Sequence, residues 1–235
     1  MSSAAVPSSG GGSPIMVDSL ALVDTAVSEI LSQVSTCKLS VDAEGVDLGR
    51  TGALCILQVA VFRLEGATAF HVSHVYLFDV HTLGVALFDR GVRAILETPS
   101  IFKIMFDCRG DAAALYHQFQ VTLQGVLDMQ VATHNGYKWL SGFKKTLDKY
   151  DIAATAKEEG VTLFAPERGG SYEVWKRRPL HPALCIYAVE DVRLAVALFA
   201  KIQTRVSIEA LAEKCRRRIT NAIAATSAFT AASDL

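Results

Sequence analysis

The chain has 235 residues, 51% of them hydrophobic and 20% charged, with a formal net charge of -1. That balance fits one large domain with a sizeable core and excludes wholesale disorder. A charge near zero gives no general attraction to nucleic acid, so any such contact must come from a local basic patch.

Residues 1 to about 14, MSSAAVPSSGGGSP, are rich in Ser, Gly, Pro and Ala. They read as a disordered leader, with neither the apolar centre of a signal peptide nor the arginines of a transit peptide. An apolar piece near Leu20–Val23 leads into DTAVSEILSQVS, where Val27, Ile30, Leu31 and Val34 recur at helical spacing and Asp24 or Thr25 is expected to cap. Three strand-like runs follow, KLSVDAE, ALCILQVAVF and ATAFHVSHVYLFDV, punctuated by Gly45, Gly49, Gly52 and Gly66. Then GVRAILETP reads as helix, IFKIMFD as strand and GDAAALYHQF as helix, while VLDMQVATH begins as a strand with a helical end. FKKTLDKYDI and DIAATAKEEG read as two short helices, and APERGGSYEVWKRRPL as a loop. A helix is expected from about His181 to Thr204 and another from about Ser207 to Ile223, followed by an Ala/Ser/Thr tail. Strands first, then alternation with helices, predict an α/β three-layer domain with a mixed sheet flanked by helices. It is expected over residues 15–205, with 206–235 forming a C-terminal helix and flexible tail.

Five cysteines, Cys37, Cys55, Cys108, Cys185 and Cys215, are widely spaced and form no CxxC pair. They argue against a zinc ribbon or disulfide framework and for a reducing compartment. None of the six histidines has a partner at ligand spacing. No apolar stretch reaches the roughly 18 residues that span a bilayer. A cytoplasmic or nuclear location without membrane attachment is the expectation.

Chemistry enters with the acids. On a strand, alternate side chains share a face, so Asp42 and Glu44 point together while Val41 and Ala43 point into the opposite layer. Two neighbouring carboxylates repel unless a cation lies between them, and the segment is otherwise apolar. Asp111 follows IFKIMFDCRG where a strand ends and a helix begins, a place that projects into the usual α/β crevice. Asp107 is its rival, and Asp111 would equally serve as a helix-start acid. Tyr187 and Asp191 are four apart on a helix and share a face. Taken singly, each acid has a structural explanation: a polar strand end, a cap, or an ion pair to Arg193, Lys201 or a residue outside the helix.

In combination, Asp42, Glu44, Asp111, Tyr187 and Asp191 resemble the site pattern of the DEDD exonucleases in their tyrosine variant, the RNase D and Werner-exonuclease group. DAEGVDLGRTGALCILQVA is similar to the first motif of that group's Egalitarian-like branch, FDCRGDAAAL to the second, and WKRRPLHPALCIYAVEDVRLAVALF to the third. VLDMQVATH resembles an Asp-led segment in which the acid, here Asp128, is structural. The resemblance covers about residues 15 to 205 and implies a ribonuclease-H-like fold. It also implies 3′-5′ hydrolysis of RNA or DNA single strands with two Mg²⁺ or Mn²⁺ ions. By this resemblance Asp42, Glu44 and Asp191 ligate one ion, Asp42 bridges to a second that Asp111 helps hold, and Tyr187 orients the attacking water.

A substrate strand needs nearby cations and stacking surfaces. Lys138, Lys144, Lys145 and Lys149 cluster in YKWLSGFKKTLDK, and Arg168, Lys176, Arg177 and Arg178 lie in the loop before the third motif. Trp139, Tyr172 and Trp175 are the aromatic candidates. Lys144, Lys145, Trp175, Arg177 and Arg178 are the preferred nucleic-acid contacts. The competing reading is an idle domain of the same fold that serves as an RNA-binding or protein-interaction adaptor.

Overall fold

The computed structural model describes residues 14–134, 136 and 139–225. The expected leader up to residue 13, the tail beyond 225 and Lys138 lie outside these residues.

A six-stranded sheet divides the apolar side chains into two layers. Its strands are β1 (Ile15–Val17), β2 (Lys38–Val46), β3 (Ala53–Leu64), β4 (Phe70–Asp79), β5 (Lys103–Met105) and β6 (Val126–Asp128), in the order β1-β4-β3-β2-β5-β6. β2, β3 and β4 form an antiparallel meander, while β1, β5 and β6 are parallel to their neighbours. The sheet is therefore mixed, as the strand-then-alternation pattern predicts. β3 is central and buried along most of its length, which its near-continuous run of apolar residues reflects.

One face of the sheet carries α1 (Leu20–Gln33), α2 (Arg93–Glu97) and α3 (Arg109–Phe119). Leu39, Val41, Ala43, Leu57, Val59 and Val61 meet Val23, Val27 and Ile30 there. The other face carries α4 (Phe143–Lys149), α5 (Glu158–Phe164) and the long α6 (Pro182–Ile202). Ile56, Ala60 and Phe62 pack there against Val192, Val196 and Phe199. α7 (Ile208–Ala224) closes the β6 end of the molecule, with Ile219 and Ala222 in the first layer and Cys215 in the second.

Local departures have identifiable causes. α1 begins at Leu20, earlier than expected, because the Ser19 side chain accepts from the Leu22 N–H. Asp24 instead pairs with Arg90, and Thr25 bonds back to the Ala21 carbonyl. The expected helix at GVRAILETP starts only after a kink at Gly91, where φ is 106°. In DIAATAKEEG, Asp151 adopts a left-handed φ of 53°; a single turn at Thr155–Lys157 then leads into α5. Among the described residues no helix is long and apolar enough to cross a membrane.

Candidate active site

The pleat of β2 sends Leu39, Val41 and Ala43 into the α1 layer. Asp42 and Glu44 consequently face the α6 layer. The β2–β3 register shifts between Glu44 and Gly45, and a β-carbon on Gly45 would lie 2.0 Å from the Ala53 carbonyl oxygen. Only glycine lets the strands approach that closely just after the two acids. α6 places Tyr187 and Asp191 one helical turn apart. One carboxylate oxygen from each of Asp42, Glu44 and Asp191 lies within 4.8 Å of the others. Oδ2 of Asp191 is buried with no hydrogen-bond partner.

Asp111 stands in the first turn of α3, 5% exposed, and lines the same cavity of about 560 Å³. It is not part of the 4.8 Å cluster. The rival Asp107 also borders this cavity but is held by Arg109 at 2.7 and 2.9 Å and by Arg218 of α7 at 2.7 Å. Asp128 is fully buried and accepts from the backbone N–H groups of Asp107, Cys108 and Gln130, with Arg218 Nε at 2.8 Å. These two acids fix the turn from which Asp111 projects.

Burial pushes the carboxyls of Asp42 and Glu44 well above the usual carboxylate range, and repulsion from Asp191 and Asp111 adds to the rise. Burial likewise raises Asp191, and raises Asp111 to about 8 with repulsion from Asp107. A cluster of this kind favours cations. One is supplied by Lys157, whose ammonium ion-pairs with Asp191 Oδ1 and lowers the carboxyls of Asp42, Glu44 and Asp191. Tyr187 packs edge-on against Phe164 and Trp175, at centroid distances of 4.9 and 6.1 Å. Burial, reinforced by Asp191, Glu44 and Asp42, pushes its phenol far up, so the hydroxyl stays protonated.

The expected substrate contacts divide. Lys144 and Arg168 line the acidic cavity. Lys145 and Lys149 line a smaller cleft of about 240 Å³ with Trp139, which is 53% exposed. Arg177 is exposed but lies away from the cavity lining. Trp175 is 0% exposed and packs in the core with Phe164 and Tyr187, so it has no free face on which a base could stack. Arg178 is committed to Asp79, to which its Nε donates at 2.6 Å, and to the Trp175 and Arg177 carbonyls. Both readings are corrected: these side chains brace the loop rather than face a ligand.

Two neighbours of the acids escaped the sequence reading. Lys157 sits in DIAATAKEEG, which reads as a short helix with nothing in it that points to the acids. Gln58, wholly buried, stands across the ladder from Asp42; its cue was an amide inside an otherwise apolar strand.

Residues 14–207 match a family model described as 3′-5′ exonuclease. Over 166 residues the chain is 43% identical to piRNA biogenesis protein EXD1 of Homo sapiens and 36% identical to that of Mus musculus. Each match covers 66% of this chain, and respectively 30% and 27% of the relative. The chain thus spans less than a third of the length of these relatives. Among solved structures, Trypanosoma brucei RNase D in complex with GMP superposes with a TM-score of 0.74 at 23% identity, covering 92% of this chain and 65% of that one. Escherichia coli RNase D superposes at 0.63 and 21%, covering 90% and 51%. The shared fold is that of RNase D, the ribonuclease-H-like architecture expected from the motifs.

Proposed function

This chain belongs to the 3′-5′ exonuclease family, and from that premise we propose that it hydrolyses phosphodiester bonds from the 3′ end of single-stranded RNA or DNA and releases nucleoside 5′-monophosphates. The observation that carries the reading is the convergence of Asp42, Glu44 and Asp191, which line the cavity, within 4.8 Å of one another.

The donor set fits hard divalent cations such as Mg²⁺ or Mn²⁺: every ligand atom is a carboxylate oxygen, and Asp191 Oδ2 is buried without a partner. Asp42, Glu44 and Asp191 would hold one ion, with Asp42 and Asp111 contributing to a second. When bound, two such ions supply Lewis acidity that lowers the pKa of water and stabilises the leaving 3′ oxygen. The chain's own residues do the rest. Tyr187, kept protonated by its surroundings, orients the attacking water through its hydroxyl. Lys144 and Arg168 on the cavity wall attract the phosphates of the incoming strand. The apolar wall around Phe106, Phe143 and Leu147 limits water beside the reacting phosphate.

The test is incubation of single-stranded RNA and DNA labelled at the 5′ end, with Mn²⁺ or with EDTA. Progressive shortening in Mn²⁺ that EDTA blocks, and that Asp42→Asn or Asp191→Asn abolishes without loss of circular dichroism, supports the enzyme. Retarded bands without shortening would place the chain among nucleic-acid adaptors instead. Running both substrates side by side decides between RNA and DNA.

A further inference from the structure

Lys157 has no place in the motif pattern, yet it reaches the centre of the site. It ends the short turn Thr155–Lys157 that leads into α5. Its Nζ ion-pairs with Asp191 Oδ1 and lies 4.1 Å from the Tyr187 ring centroid and 5.5 Å from that of Phe143. The side chain is 14% exposed. An ammonium so placed is held by a carboxylate and two aromatic faces at once. It is also a cation on one of the three carboxylates that lie within 4.8 Å of one another.

We propose that Lys157 is a tethered counter-ion that competes with a divalent cation for Asp191, so that metal loading must move the ammonium off the carboxylate. This rests on the reading of Asp42, Glu44 and Asp191 as metal ligands. The physical ground is like-charge repulsion. A singly and a doubly charged cation sharing one carboxylate repel by several times thermal energy, even with the screening typical of protein surfaces. The ammonium is the movable partner, because it rides on a flexible four-carbon stem. Its turn and α5 both pack on α6, with Gly160 against Tyr187. Rotation about the side-chain torsions alone can therefore carry the ammonium off Asp191 while the turn stays seated on α6. Its charge also eases the repulsion among Asp42, Glu44 and Asp191, so the pairing stabilises the acids until the metal takes over.

The test is calorimetric titration of the full chain with MnCl₂, comparing wild type with Lys157→Met, Lys157→Gln and Lys157→Arg, each checked for fold by circular dichroism. Competition predicts that the Met and Gln variants bind Mn²⁺ about tenfold more tightly or better, while Arg, which keeps the charge, stays near wild type. It further predicts that the neutral variants melt lower than wild type in EDTA and gain more from Mn²⁺. A role in merely orienting Asp191 would weaken Mn²⁺ binding in both neutral variants, and unchanged affinity would show no role; either result overturns the proposal. Should the Met variant fail to fold, the Gln variant decides alone. Failure of wild type and all variants to bind Mn²⁺ would overturn the metal-site reading and this inference together. Binding with unaltered affinity would overturn only the inference.

Discussion

Asp42 on β2 stands directly across the antiparallel ladder from Gln58 on β3, so the two side chains share the face turned toward α6. Gln58 is 0% exposed, and neither its amide nitrogen nor its oxygen has a hydrogen-bond partner. A buried amide in that state costs about 1–3 kcal/mol, and a leucine would fill the same position without the penalty. Replacement of Gln58 by Leu is therefore expected to hold or raise the melting temperature while reducing cleavage, because it strips the polar neighbour from Asp42. Thermal denaturation together with the degradation assay checks this. A fall in melting temperature would show that the amide is satisfied after all.

Gly160 of α5 lies against Tyr187 of α6: a β-carbon there would come within 2.6 Å of Tyr187 Cβ and 2.9 Å of the Ala183 carbonyl oxygen. The glycine lets α5 approach closely enough to carry Lys157 to the acids. Gly160→Ala should destabilise the fold by about 1–3 kcal/mol through overpacking and shift Tyr187 with it. Chemical denaturation reads the first effect and turnover the second; a variant of wild-type stability would mean that the two helices do not depend on this contact.

Tyr187→Phe keeps the ring contacts with Phe164 and Trp175 and removes only the hydroxyl. Turnover should drop by about 10²-fold with Mn²⁺ affinity unaltered. An unchanged rate would remove Tyr187 from the chemistry while sparing the carboxylates.

The raised carboxyls give a pH dependence with a definite sign. A carboxyl whose pKa is higher folded than unfolded stabilises the fold at low pH, and that contribution is lost as pH rises through the folded value. Asp111, at about 8 against 3.8 for an ordinary aspartate, places the loss between roughly pH 4 and 8; Asp42, Glu44 and Asp191 shift in the same direction. In EDTA the melting temperature should fall across this window, and Mn²⁺ should offset most of the fall. A stability that climbs with pH in EDTA would contradict the electrostatics.

Much of this architecture is legible in the residues because it follows local periods. Alternation on β2 puts Asp42 and Glu44 on one face, and four-residue spacing on α6 aligns Tyr187 with Asp191. The three-residue strand Ile15–Val17 left too short a pattern to read. Trp175 and Arg178 misled because YEVWKRRP is polar around them. Their burial is decided by Phe164, Tyr187 and Asp79, of which Asp79 is 99 residues from Arg178. Such pairings leave no local period. The same holds for Lys157, whose partner Asp191 is 34 residues away.

The most direct test is anomalous diffraction from crystals soaked in MnCl₂. Manganese peaks within about 2.4 Å of oxygens from Asp42, Glu44 and Asp191, with a second ion about 4 Å away on the Asp111 side, are the result expected. Occupied manganese elsewhere in the crystal, with no ion at the three carboxylates and Asp191 still paired with Lys157, would contradict the account.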